Sequence, residues 1–190
     1  MSWLELDPTR RLAVSLAGIV CLGGLTAGCF QPLYGDHTLT GAPAIGPALA
    51  AVDVAQIPAP AGSSEARVAV ELRNQLLFDI RGGGTAPPPT HRLTIRMTST
   101  RNSLIVDVNS GLPNEENYGL NITYTLTDIK TGKPVLTSQS FARVSYDIPG
   151  FTMTQRFAHT SALRDAEDRA AKEIADNVRA RLASYFVAGT

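Results

Sequence analysis

Cys29 is the residue whose type and place most directly imply chemistry. It closes the run Leu25-Thr26-Ala27-Gly28-Cys29, after Arg10-Arg11 and an apolar stretch from Leu12 to Leu25. A basic start, an apolar core and small residues before a cysteine form a bacterial secretory signal cut by the lipoprotein peptidase. Cleavage between Gly28 and Cys29 needs small side chains beside the scissile bond. The Cys29 thiol would accept a diacylglyceryl group, and the freed amine a further acyl chain. At about 0.8 kcal/mol per buried CH₂, two or three acyl chains hold a protein durably on a membrane. The run Leu12–Gly28 holds Gly18, Gly23 and Gly24 and falls short of the roughly 20 apolar residues a spanning helix needs. Thr26 departs from the branched apolar residue usual three places before such a cysteine.

No other constellation carries chemistry. His37, His91 and His159 are scattered, none at metal-ligand spacing with another ligand. No serine lies in a Gly-x-Ser-x-Gly turn. The Gly82-Gly83-Gly84 run follows a helical pattern and precedes prolines, opposite to the order of a phosphate cradle. Glu115-Glu116 lies among Asn114 and Asn117 and reads as a solvated loop. The expectation is a non-enzyme with no metal and no cofactor beyond the diacylglyceryl and N-acyl lipid on Cys29.

Three segments would position these residues: a signal peptide over 1–28, a lipidated tether over 29–48 rich in Gly, Pro and Ala, and a single α/β domain over 49–187. After cleavage, charges balance at fifteen of each sign, which gives no support for nucleic-acid binding. Cys21 leaves with the signal and Cys29 goes to lipid, so no disulfide is available. Phe30, where an aspartate would retain many lipoproteins at the inner membrane, points to the outer membrane.

Within the domain, Leu49–Ile57 reads as a short strand. Ser63 and Ser64 offer N-caps for a helix to about Ile80, with the stripe Val68, Leu72, Leu76 and Ile80. Leu93, Ile95 and Met97 alternate on odd numbers, then Leu104, Val106 and Val108 on even ones. A parity switch requires a bulge or bend, expected between Ser99 and Ser103. A polar loop over Asn109–Asn117 leads to the alternation Tyr118, Leu120, Ile122, Tyr124 and Leu126. Asp128–Pro134 is a hairpin connection, and a last strand spans Val135–Tyr146. There Leu136 and Val144 compete with Val135 and Phe141 for the core. A long helix from about Ala158 to Phe186 carries Leu163, Ala166, Ala170, Ile174, Val178, Leu182 and Tyr185 at helical spacing, with Asp165–Arg169 and Asp168–Lys172 as i,i+4 pairs. The order β-α-β-β-β-α is that of an α+β two-layer sandwich: a sheet of about four strands, two helices on one face, and a polar other face.

The stretch Gly28-Cys29-Phe30-Gln31-Pro32-Leu33-Tyr34-Gly35 resembles the mature start of the alphaproteobacterial LPS-assembly lipoprotein family, LptE. The strand and turn Tyr124–Lys133 and the helix bearing Ala166, Arg169-Ala170-Ala171, Ile174 and Arg181-Leu182-x-x-Tyr185 are similar to the same family. The resemblance spans nearly all of residues 25–187. It implies a two-layer fold with a four-stranded sheet. It also implies an outer-membrane lipoprotein, anchored on the periplasmic side, that partners and plugs the β-barrel inserting lipopolysaccharide and binds lipopolysaccharide itself. Phosphates and acidic sugars of that lipid call for charge-assisted donors. Arg92, Arg96 and Arg101 near the bend, with Lys130 and Lys133 in the turn, are the candidates. The alternative is an auxiliary lipoprotein of an ABC-type lipid transporter, which shares signal, size and pattern.

Overall fold

The computed structural model describes residues 45–82, 87–106, 113–148 and 153–188. The signal, Cys29, the tether up to residue 44 and Val108 lie outside the described residues. The elements are α1 (Ile45–Ala50), β1 (Val52–Val54), α2 (Ser64–Arg81), β2 (His91–Val106), β3 (Pro113–Asp128), β4 (Pro134–Asp147) and α3 (Met153–Ala188). One sheet has the order β1-β2-β3-β4. β1 pairs in parallel with β2, while β2-β3-β4 is an antiparallel meander. The α+β architecture expected from the pattern is the one observed, with α1 added.

That short helix occupies residues 45–48, read above as tether, together with Leu49 and Ala50, read as strand. Pro47 is tolerated there because first-turn N–H groups have no intrahelical partner. The Ala51 N–H donates to the Pro47 carbonyl at 3.1 Å, and Ile45 and Leu49 are buried. The strand that follows is accordingly cut to three residues.

α2 starts and stops by local chemistry. Ser63 is the N-cap, its Oγ accepting from the Ala66 N–H at 3.1 Å. Gly82, at φ 58°, takes the left-handed position at the other end and donates its N–H to the Phe78 carbonyl. Val68, Ala69, Leu72, Leu76 and Ile80 are buried along one stripe.

Leu93 and Ile95 of β2, Tyr118 to Leu126 of β3 on even numbers, and Leu136, Ala142, Val144 and Tyr146 of β4 share one buried face. α3 closes it with Ala166, Ala170, Ala171, Ile174, Ala175, Val178, Leu182 and Ala183, all buried. Small residues let this helix approach both the sheet and α2. The parity of β4 is thereby decided for Leu136 and Val144, with Val135 and Phe141 outward.

Three boundaries differ from expectation. β3 begins at Pro113, so Asn114–Asn117 are strand and not loop; Glu115–Asn117 pair with β2 on one side and β4 on the other, and Asn114 falls in the register shift. α3 begins at Met153, about one and a half turns before Ala158. β2 stays regular through Ser103, and its register shifts fall between Ser103 and Val106.

Candidate functional site

The face of the sheet away from the helices is built in rows across three strands. Thr94, Thr125 and Thr137 form one row, then Arg96, Thr123 and Gln139, then Thr98, Asn121 and Phe141. Thr100, Gly119 and Arg143 follow, then Asn102, Asn117 and Ser145. Strand alternation sends every one of these side chains outward while its neighbours fill the core. Side-chain hydrogen bonds knit the rows, with Thr125 and Thr137 hydroxyls 3.4 Å apart and the Asn117 amide donating to Ser145 Oγ at 3.4 Å. A shallow depression of about 400 Å³ lies over the middle rows, lined by Arg96, Thr98, Asn121, Thr123, Gln139 and Phe141 among others. Phe141 is 66% exposed at its rim. Gly119 is needed for closeness, since a Cβ there would stand 2.6 Å from Thr100 Oγ1.

The five basic candidates do not form one cluster. Arg96 lies in the depression and makes no ion pair among the described residues. Arg92 is on the same face near the opposite end of the sheet from the bulge, and its Nε donates to Asp53 Oδ2 at 3.1 Å. Lys130 and Lys133 are exposed in the turn beyond that end. The turn is held by Asp128, whose Oδ1 accepts from the N–H groups of Lys130 at 2.7 Å and Thr131 at 2.9 Å. The Thr131 N–H leads the interactions that hold the Asp128 carboxyl below its ordinary range. Arg101 pairs in register with Tyr118 on the helix-side face, away from Arg92 and Arg96. The position of the bulge explains this. Because β2 is regular to Ser103, odd and even residues keep opposite faces past Arg101. Arg143, absent from the candidate set, shares the outer face with Arg96. Its parity on β4 was the missing signal.

The helix-side face carries two polar clusters that composition did not reveal. In the first, Arg67 of α2 donates to Asp168 Oδ1 at 2.7 Å and to Glu167, both on α3. Asp168 is thus engaged with α2, whereas Asp165 and Arg169 form the i,i+4 pair at 2.7 Å. Ser99 donates to Glu65 at 3.2 Å beside this cluster. Tyr118 is pushed up to about 12 by burial first and by the Glu167 charge second. In the second cluster the Tyr146 hydroxyl donates to Glu116 Oε2, and His159 Nε2 lies 3.6 Å from the same oxygen. Burial first, then this bond, raises the Tyr146 hydroxyl above its ordinary range. Glu116 and Tyr146 of the sheet thus face His159 in the first turns of α3, whose ring lies 5.9 Å from that of Tyr146.

Among the described residues no group of three or more His, Cys, Asp or Glu side chains converges to hold a metal. No helix among them is long and apolar enough to cross a membrane.

Comparison with known proteins places this arrangement. A candidate lipoprotein from Caulobacter crescentus matches with a TM-score of 0.57 at 20% identity, covering 77% of this chain and 97% of that one. Its likeness establishes the fold. Lipoprotein B from Nitrosomonas europaea matches with a TM-score of 0.49 at 16% identity, over 80% of this chain and 94% of its own. No curated protein matches significantly. The family model for LptE, described as lipopolysaccharide-assembly, matches residues 49–182, well over half of the chain. This chain belongs to the LptE lipopolysaccharide-assembly family.

Proposed function

We propose that this chain is an outer-membrane lipoprotein, acylated on Cys29 and facing the periplasm, that partners and plugs the β-barrel inserting lipopolysaccharide. The observation that carries the reading is the outer sheet face. Its rows of Thr, Asn, Gln and Ser, with Arg96 and Arg143 as cations, suit a wet polar lumen of the kind a large barrel encloses. Arg96 and Phe141 around one depression also suit an amphiphile, the guanidinium taking a phosphate or acidic sugar and the ring an apolar portion. Lys130 and Lys133 at the turn end, with Arg92 already paired to Asp53 beside them, supply a second exposed basic edge. Arg101, on the opposite face, has no part in this contact.

The test is a tagged pull-down from detergent-solubilised membranes, with co-purifying proteins identified by mass spectrometry. A near-stoichiometric, heat-modifiable outer-membrane barrel is the expected result. Recovery of ABC-transporter subunits in its place would assign the chain to the auxiliary-lipoprotein class and overturn the reading.

A further inference from the structure

Three chain segments meet at the end of the sheet beside the Asp128 turn. The Thr90 N–H donates to the Ala51 carbonyl at 2.9 Å, and the Ile129 N–H to the Thr90 carbonyl at 3.0 Å. The His91 ring lies edge-on to Phe186 at 5.3 Å and to Tyr185 at 6.5 Å. The start of β1, the β3–β4 turn and the last turn of α3 are thereby neighbours. What they present outward is amphipathic. Ile129 and Val187 are exposed, Tyr185 and Phe186 are half-buried, and Lys130 and Lys133 are exposed in the turn. The turn itself is held firmly. The Gly132 N–H donates to the Asp128 carbonyl at 2.9 Å, and the Asp128 N–H to the Lys133 carbonyl at 3.0 Å. Aliphatic, aromatic and lysine side chains together are the composition that suits a membrane–water interface.

The chain also enters the domain at this end. α1 spans roughly 8 Å between Ile45 and Ala51, whose carbonyl receives the Thr90 N–H. Fifteen residues, 30–44, separate Cys29 from Ile45, and at about 3.5 Å per residue they reach at most roughly 55 Å. α3, with 36 residues, is itself about 54 Å long. Turning the opposite end of the domain toward the acyl chains would draw that link out to nearly its full length. The turn end reaches the same leaflet with no such extension. Charge agrees. Lys130 and Lys133 outnumber Asp128 in the turn, whose carboxylate is directed onto the turn's own N–H groups. At the other end of the sheet Glu115, Glu116 and Asp147 outnumber Arg101, and an anionic surface repels them.

We infer that the turn end of the domain is a docking face for the phospholipid leaflet that holds the Cys29 acyl chains. Ile129 and Val187 enter the acyl boundary, and the two lysines take the phosphates of anionic headgroups. The strands then stand away from the leaflet, and the outer face with Arg96 stays free for its own partner. The inference rests on acylation of Cys29 and is independent of the barrel. The same lysines form the second basic edge described above, so the test separates phospholipid from lipopolysaccharide.

Trp3 is the one tryptophan of the sequence and precedes Cys29, so the cleaved chain offers a dark background. Ile129→Trp places a probe in the turn. Phe157→Trp places one near the other end of α3, about 42 Å from Tyr185. Both sites are exposed, so neither substitution enters the core. Each acylated chain, purified from membranes, is reconstituted into vesicles of brominated phosphatidylcholine with phosphatidylglycerol. The Ile129→Trp chain is expected to lose most of its emission, and the Phe157→Trp chain to keep its own. Adding Lys130→Gln and Lys133→Gln should lower the docked-to-undocked ratio about fivefold per lysine. Chains that float with the vesicles but are quenched alike would overturn the docking face and leave the anchor standing. Failure of the chains to float would overturn the anchor and this face together. Quenching of the Ile129→Trp chain only when lipopolysaccharide replaces phosphatidylglycerol would assign the lysine edge to that lipid and overturn the leaflet contact.

Discussion

Arg67 on α2 and Glu167 on α3 are joined across the top of the sheet, and Glu167 is only 3% exposed. The buried carboxylate depends on that guanidinium for charge compensation. Asp168 on the wetter side completes the fork. The contact fixes the rotational setting of α3, and so which of its residues face β4.

Removing the cation alone strands a buried charge. Losing one partner of a buried pair costs roughly 3–5 kcal/mol. Arg67 is itself 38% exposed, so water can reach the vacated space, and Arg67→Leu should cost about 2 kcal/mol. Adding Glu167→Leu should recover most of it. Urea unfolding of the two variants measures the difference; equal stability of single and double variants would show the pair to be uncoupled.

Tyr118 predicts the alkaline limit. Its hydroxyl ionises near 12 in the fold against 10.0 in a free chain. Between those values the folded state holds more protons than the unfolded one, so stability falls as pH rises. It is fully present below pH 10 and lost progressively toward 12. Tyr146 acts in the same direction. Thermal melts across this range should show the decline, and Tyr118→Phe should flatten part of it.

Two arginines five residues apart should behave oppositely. Arg96→Glu puts a negative charge in the outer depression and should weaken lipopolysaccharide binding about tenfold, the equivalent of one charge-assisted hydrogen bond. Arg101→Glu, on the helix-side face, should leave binding near the unaltered level. Titration of both variants against purified lipopolysaccharide decides the matter. Equal losses would mean that net charge, and not this face, governs the contact.

Replacing Cys29 with Ala should block acylation and leave an uncleaved precursor. Membrane fractionation with intact-mass measurement checks this. Normal mature size together with normal outer-membrane fractionation would overturn the acylated anchor.

The elements most legible in the chain were those whose signal is local and repeated. The stripe from Val68 to Ile80, the Ser63 cap and the alternation from Tyr118 to Leu126 each carry enough period to fix a face. β4 was ambiguous because both of its parities hold large apolar residues. The tie is resolved by register from the Asp128 turn and by α3 packing on Ala142 and Val144, which are distant in sequence. Asn114–Asn117 read as loop because their composition is polar, yet pairing on both sides holds most of them in the sheet. The outer face as a polar surface was visible. Its membership was not, because a bulge a few residues later than expected moves Arg101 across the sheet, and nothing local to β2 specifies where that bulge falls.

The order of the elements has a consequence for how the core is completed. β2, β3 and β4 are sequence neighbours that pair as a meander, and the long helix that covers them, α3, follows all three. Ala166, Ala170, Ile174, Val178 and Leu182 therefore reach the apolar face only after the strands they cover. A meander formed without them presents a bare apolar surface, and the docking of one helix turns that surface into a finished interior.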